Sequence, residues 1–163
     1  MLSEKIQNIL NEQVKKEMYS SHLYLAMAVW ADAQGYNGVA SWLYAQADEE
    51  HEHALMFIKY INDKGGTAVI PAIDMPPKEF KDLKSLFTDV LKHEEFISSS
   101  IHEIVALTIE EKDYSTNSWI QFFVTEQIEE ERSVNEILDR LKLVGGNNLY
   151  MFDRDIMSLR KQE

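Results

Sequence analysis

The chain has 163 residues, a formal net charge of −12 and no cysteine. This length suits one domain with a well-filled core. The lack of cysteine excludes disulfides, thiolate metal sites and cysteine nucleophiles, and the acidity disfavours nucleic acid and anionic membranes as partners. We therefore expect a single domain over residues 1–163 that attracts cations.

No apolar run approaches the roughly 20 residues that would cross a bilayer. The first residues also lack the charged and apolar regions of a signal peptide. Both observations favour a cytoplasmic protein without a membrane partner.

Proline and glycine divide the sequence into long stretches with a helical apolar period. All three prolines lie between residues 71 and 77, and the glycines fall at 35, 38, 65, 66, 145 and 146. Pro77 suits the first turn of a helix, and Gly35 and Gly65 suit helix C-termini. The predicted helices cover about residues 4–33, 37–64, 78–111, 114–143 and 148–160.

The lengths of the connections predict how these helices are arranged. Short connections near residues 34–37 and 112–115 make the helices that they join antiparallel neighbours, whereas the connection near 65–77 is long enough to run the length of a bundle. Apolar residues spaced alternately by three and four are typical of helices packed nearly parallel. The sequence predicts an all-α four-helix bundle, with one long crossover and a short fifth helix at the C-terminus.

Carboxylates interrupt the apolar stripe of every long helix near its midpoint. They are Glu17, Glu50, Glu94 and Glu130, in chain order. His53 follows Glu50 at a spacing that places both side chains on one helix face. Because the midpoints of helices of similar length meet at one level, the sequence predicts carboxylates and one imidazole clustered in the centre of the bundle.

Such a cluster needs positive charge, because no Lys or Arg lies on the stripes at this level. Burying carboxylates costs several kcal/mol per ion, and their mutual repulsion adds to that cost. Protonation would relieve one pair of carboxyls but not four or five. Carboxylates with one imidazole suit iron, manganese or zinc, and oxygen-dominated coordination by a redox metal favours iron.

Other polar residues have simpler interpretations. Tyr24 lies two turns from Glu17 on the same stripe, where it either packs in the core or serves the metals as a hydrogen-bond partner or electron donor. Glu131 is expected to be solvated. Four histidines lie off the stripes and are also expected to be solvated: His22, His51, His93 and His102.

Four stretches of sequence resemble a known family. They are Glu-Met-Tyr-Ser-Ser-His-Leu-Tyr at 17–24, Ala-Asp-Glu-Glu-His-Glu-His-Ala at 47–54, His-Glu at 93–94 and Phe-Val-Thr-Glu-Gln-Ile-Glu-Glu-Glu at 123–131. On these residues the chain resembles a bacterial non-haem ferritin subunit over nearly its whole length, which implies that the predicted four-helix bundle is ferritin-like. Ferritin-like di-iron proteins have Glu-x-x-His on two helices. Here Gln127-x-x-Glu130 replaces the second copy, as in the non-haem ferritins.

The resemblance implies a ferroxidase centre inside one subunit, with iron as the metal and no haem. The residues that would hold the first iron are Glu17, Glu50 and His53. Glu50 would bridge to a second, looser iron held by Glu94 and Glu130. Gln127 would lie close by without a strong metal bond and steer oxygen. A third site would use Glu49, Glu126, Glu129 and Glu130.

The resemblance also implies iron storage. Iron(II) would be oxidised by oxygen or hydrogen peroxide and kept as hydrous ferric oxide in a shell of 24 copies, with the fifth helix lining the fourfold axes. The main alternative is a di-iron oxidoreductase acting on an organic or peroxide substrate. A rubrerythrin is disfavoured by the lack of Cys-x-x-Cys, and a mini-ferritin because its ligands lie between subunits. A metal-free, cytokine-like bundle leaves the central carboxylates unexplained.

Overall fold

The computed structural model describes residues 1–160, and this part of the chain is built from helices without strands. They are α1 (Glu4–Ala33), α2 (Asn37–Asp63), α3 (Leu83–Glu110), α4 (Tyr114–Val144) and α5 (Leu149–Asp155), followed by a 3₁₀ helix (Ile156–Leu159). The predicted all-α class is confirmed. Within residues 1–160, no helix combines the length and the apolar character needed to span a lipid bilayer.

The start of α3 differs from the prediction. The helix begins at Leu83, so a start near residue 78 with Pro77 in the first turn is wrong. The carboxylate of Asp82 accepts a hydrogen bond of 2.7 Å from a backbone N–H in the first turn, which is how an N-cap residue stabilises a helix start. Phe80 packs against α1 instead of continuing the helix. The cap and this contact keep the residues before α3 in the connection.

The fifth helix is shorter than predicted. An α-helix was expected over residues 148–160, but α5 ends at Asp155 and the chain continues as a single 3₁₀ segment to Leu159. Phe152 and Ile156 are the buried residues of these two segments, and both belong to the core. Residues 149–160, here named the C-terminal arm, therefore pack against the bundle.

The long connection between α2 and α3 runs along α1. Near the start of α1, Asn11 donates to the carbonyl of Thr67 (3.1 Å) and accepts from the backbone N–H of Val69 (2.8 Å). Near the end of α1, the rings of Trp30 and Phe80 meet edge to face, with centroids 5.8 Å apart. The connection thus spans the bundle and makes α2 and α3 parallel, which confirms the predicted crossover.

The core consists of two apolar clusters at opposite ends of the bundle. The first apolar cluster includes Met27, Leu43, Phe87 and Ile137, one residue from each long helix, together with both buried residues of the C-terminal arm. The second apolar cluster includes Leu10, Phe57, Ile101 and Phe123. On every long helix, the residues that lie between the two clusters are the ones that interrupt the apolar stripe.

The C-terminal arm is docked on the first turn of α2. Asp153 accepts a hydrogen bond of 2.9 Å from the backbone N–H of Val39. A Cβ atom at Gly38 would lie 1.8 Å from the carbonyl oxygen of Asp153. The arm can approach the bundle this closely because Gly38 has no side chain.

Candidate metal centre

A polar layer fills the space between the two apolar clusters. Its ionisable members, here named the central carboxylate cluster, are Glu17, Glu50, His53, Glu94 and Glu130. Each of them is 5% exposed or less. One comes from α1, two from α2, one from α3 and one from α4. The structure therefore brings together the five residues at which the stripes were predicted to meet.

The cluster divides into two groups that share one residue. Glu17, Glu50 and His53 can each direct one ligand atom to a common point, and so can Glu50, Glu94 and Glu130. Within each group these atoms lie no more than 4.8 Å apart. Glu50 is common to both groups, so its two oxygens can serve two neighbouring cations.

Glutamine side chains hold the carboxylates in place. Gln46 donates through its amide nitrogen to Glu50 (3.0 Å) and to Glu130 (2.9 Å). Gln13 donates to Glu17 (2.9 Å). Sequence reasoning missed both glutamines, although each lies four residues before a predicted ligand, a spacing at which helical side chains meet.

Two predicted residues act on Glu94. Gln127 donates to the carboxylate of Glu94 at 3.0 Å, and the hydroxyl of Tyr24 donates to the other oxygen of that carboxylate. Gln127 also lies 3.3 Å from Ser98, a further residue that the sequence did not indicate. Of the two interpretations of Tyr24, the structure shows both burial in the core and the hydrogen bond beside the cluster.

Burial makes two carboxylates of the cluster, Glu17 and Glu94, resist ionisation. The pKa of Glu17 is raised well above its usual value by burial and by the charge of Glu50. Burial, Glu50 and Glu130 raise the pKa of Glu94 in the same way. Burial also acts to raise the pKa of Glu50, but the hydrogen bond to His53 and its charge outweigh this effect and lower it. Glu50, the shared carboxylate, therefore ionises more readily than Glu17 or Glu94.

A proton on His53 compensates some of this charge in the metal-free protein. Burial lowers the pKa of His53, yet the hydrogen bond to Glu50 and the surrounding carboxylates raise it to about 10. The imidazole Nδ1 lies 3.4 Å from Glu50. A metal ion entering the cluster would displace this proton, because a ligating imidazole must be neutral.

The donor set fits iron. Oε2 of Glu17 is buried, and no hydrogen bond reaches it from residues 1–160. A buried carboxylate oxygen without a donor is costly, and a cation held by Glu17, Glu50 and His53 would remove that cost. Carboxylates with one imidazole are ligands that divalent iron, manganese and zinc accept.

A groove between α2 and α4 adjoins the cluster. This groove, here named the acidic groove, has a volume of about 840 Å³. The residues on its walls include Asp48, Glu49, Glu52, His53, Glu126 and Glu129. Glu49, His53 and Glu126 form a third group of potential metal ligands. Of the residues predicted for a third site, Glu129 lies on the wall of the groove, while Glu130 belongs to the buried group with Glu94.

The prediction that His93 is solvated is wrong. Its ring packs between helices, with Nε2 lying 2.6 Å from the hydroxyl of Ser20 and the ring edge-on to Tyr24. Burial lowers the pKa of His93. The half-buried histidine therefore packs against Tyr24, a contact that joins α1 and α3.

Comparison with known proteins agrees with this architecture. Residues 7–144 match the model of the ferritin-like domain. The chain is 44% identical to a probable bacterial non-heme ferritin-like protein of Haemophilus influenzae, over 98% of both chains. It is 38% identical to a bacterial non-heme ferritin of Campylobacter jejuni, over 98% of this chain and 96% of the other.

Solved structures show the same fold. An open pore ferritin of Archaeoglobus fulgidus superposes with a TM-score of 0.95 at 36% identity, covering 99% of this chain and 100% of that one. The likeness includes the crossover and the C-terminal arm, because the match extends over nearly the whole chain. A domain match, relatives of equal length and a common fold lead to one conclusion: this chain belongs to the ferritin family.

Proposed function

We propose that the chain is an iron-storage subunit that oxidises iron(II) to iron(III) in the central carboxylate cluster. The observation that carries this proposal is the pair of ligand groups joined by Glu50 in a buried layer. One carboxylate shared by two groups binds a pair of cations side by side, and a pair of metals is suited to redox chemistry at one oxidant.

The two irons have different ligands. Glu17, Glu50 and His53 hold the first, and Glu50 with Glu94 and Glu130 holds the second. The second set has oxygen ligands only. It has no imidazole ligand, and hydrogen bonds from Tyr24 and Gln127 hold Glu94 in position. We therefore propose that the first iron binds more tightly and that the second exchanges more readily.

The protein supplies position and charge, and the electrons come from iron. Two iron(II) ions give one electron each to oxygen or hydrogen peroxide, which takes up protons as it is reduced. Burial raises the pKa of Glu17 and of Glu94, so these carboxyls bind a proton more readily before metal enters than they would in water. Their deprotonated forms then stabilise the additional charge of iron(III).

We propose that the product leaves the cluster as hydrous ferric oxide, stored in the cavity of a homo-oligomeric shell of 24 chains in the cytoplasm. The ferritins that this chain matches over its whole length support this assembly. The acidic groove supports a route for cations, because clustered carboxylates raise the local concentration of cations. The C-terminal arm would line the fourfold axes of that shell.

The test adds iron(II) aerobically to metal-free protein and follows ferric absorbance and particle size. We expect fast oxidation of about two irons per chain, as two joined ligand groups require. Slower, soluble iron loading should follow in a particle of about 450 kDa, the mass of 24 copies of an 18.9 kDa chain. Two tightly bound metals in a small oligomer without mineral would contradict storage and favour a di-iron oxidoreductase.

A further inference from the structure

The C-terminal arm ends with a cation inside the acidic groove. Arg160 is the last described residue, and its side chain is 18% exposed, although most arginines on a surface are solvated. The guanidinium lies 5.5 Å from the centre of the Trp42 ring, within the range of a cation–π contact. The arm thus places a positive charge against α2, on the wall of the groove.

The guanidinium binds one of the potential third-site ligands. Its Nη2 donates to Oε2 of Glu49 at 2.9 Å, and the Glu49 side chain is 8% exposed. Charge-assisted hydrogen bonds of this kind are roughly twice as strong as neutral ones. Glu49 is also one of the three residues, with His53 and Glu126, that could hold a metal in the groove.

Arg160 also contacts a residue that orders the central cluster. Its Nη1 donates to Oε1 of Gln46 and to the carbonyl of Trp42, both at 3.3 Å. With its oxygen facing Arg160, the amide of Gln46 directs its nitrogen to Glu50 and Glu130. One arginine is therefore in contact with the groove group and, through Gln46, with the pair of buried groups.

We propose that Arg160 is an internal competitor of the metal at the third site. When the groove holds no cation, the guanidinium neutralises Glu49. With His53 committed to the first central cation, a cation bound in the groove by Glu49 and Glu126 must displace the guanidinium or remain beside a like charge, and either event weakens binding. The third site is thereby kept weaker than the two central sites, so iron passes through it rather than staying. The inference rests on the proposed function for the identity of the cation.

The test measures the number and affinity of zinc(II) ions bound per chain by calorimetry on the full-length, metal-free protein. Arg160→Gln removes the competing charge and keeps a side chain that hydrogen-bonds. We expect the weak third class of sites to tighten about tenfold or more, as loss of a unit charge at short range in a partly buried site implies. The two tight sites meet Arg160 only through Gln46, so their affinities should change less than that of the third site.

Matched variants separate this effect from a general change in charge. Arg154→Gln removes an exposed arginine of the same arm, which pairs with its neighbour Asp155, and should leave all binding unchanged. Arg160→Lys keeps the charge without the planar guanidinium and should tighten the third site less than Arg160→Gln does. Adding Glu49→Gln to Arg160→Gln should abolish the gain.

Third-site binding that is unchanged or weaker in Arg160→Gln would overturn the proposal, since Arg160 would then be neutral or part of the site. Thermal unfolding of each variant checks that the arm still packs. Absence of the two tight sites in the unaltered protein would contradict the proposed function instead. The third class of sites is measured separately, so the two failures are distinguishable.

Discussion

The central carboxylate cluster and the acidic groove are both rich in glutamate, but they balance its charge in different ways. In the central cluster, burial raises the pKa of Glu17 and of Glu94, and a proton on His53 stands where a metal would bind. In the groove, solvent enters a space of about 840 Å³, and Arg160 pairs with Glu49. Similar residues therefore give a centre whose charge is balanced by protons until metal binds and a groove whose charge is balanced in part by an arginine.

The largest expected difference between the two regions is in the rate of iron oxidation. Glu50→Gln removes the charge of the residue that both buried groups share, so we expect the initial rate to fall by about a hundredfold or more, above the 10–100-fold typical of residues that only support a metal ligand. Glu126→Gln, in the groove, should change the rate only a few-fold. Stopped-flow absorbance of ferric product measures both.

Glu95→Gln is the matched control, since Glu95 is exposed and lies next to Glu94 in α3. It should oxidise iron as the unaltered protein does. Near-normal oxidation by Glu50→Gln would show that the shared carboxylate does not join the two irons, and the assignment of the centre would fail.

Metal binding should stabilise the protein through the central cluster rather than through the groove. A ligand present at about a thousand times its dissociation constant adds about 4 kcal/mol to the free energy of unfolding, which is roughly 10 °C in Tm for a domain of this size. We expect zinc(II) to raise Tm by this amount in the unaltered protein and in Glu126→Gln. Differential scanning calorimetry before and after chelation measures this shift in Tm. Loss of the shift in Glu126→Gln would show that zinc(II) stabilises the protein through the groove and would contradict the prediction.

A smaller effect concerns the pH dependence of the metal-free protein. The pKa of His53 is raised to about 10 in the folded protein from an ordinary value of 6.5. A raised pKa gives stability that is fully present below the unfolded pKa and is lost as the pH rises through the folded one. We therefore expect Tm to fall between about pH 6.5 and pH 10. The raised pKa values of Glu17 and Glu94 also make the folded protein less stable as the pH rises.

His53→Gln should flatten most of this fall, and saturating zinc(II) should do the same because the imidazole is then neutral at every pH tested. Thermal unfolding at a series of pH values measures the effect. A metal-free Tm that stays level or rises over this range would show that His53 does not carry the extra proton in the folded protein.

Sequence alone was sufficient for the four long helices and for the charged residues of the cluster, because both depend on helical periodicity. Glu17 and Glu50 interrupt apolar stripes, and the pattern can be read within each helix. The start of α3 could not be placed from sequence. Pro77 suggests the first turn of a helix, whereas the structure has Asp82 as the N-cap and Phe80 packed against Trp30 of α1. The crossover followed from the length of the connection alone.

The residues that support the cluster were not predictable in the same way. Gln46 and Gln13 are neutral and common, and only the position of the facing carboxylates shows that their amides are needed. The burial of His93 depends on contact with Ser20 of another helix. Arg160 is remote in sequence from Glu49, and nothing local to either residue indicates that an arm brings them together.

Because Gly38 of α2 has only a hydrogen atom as its side chain, the arm can pack closely there, and this close packing helps to set the position of Arg160 at the end of the arm. Asp153 contacts α2 at Gly38, and the chain then continues through Ile156 to Arg160. A methyl group at Gly38 would displace the backbone of Asp153 and, with it, the guanidinium that meets Glu49. On the proposed role of Arg160, the affinity of the groove for cations is therefore sensitive to a residue of α2 that carries no charge, binds no metal and contacts the arm only at Asp153.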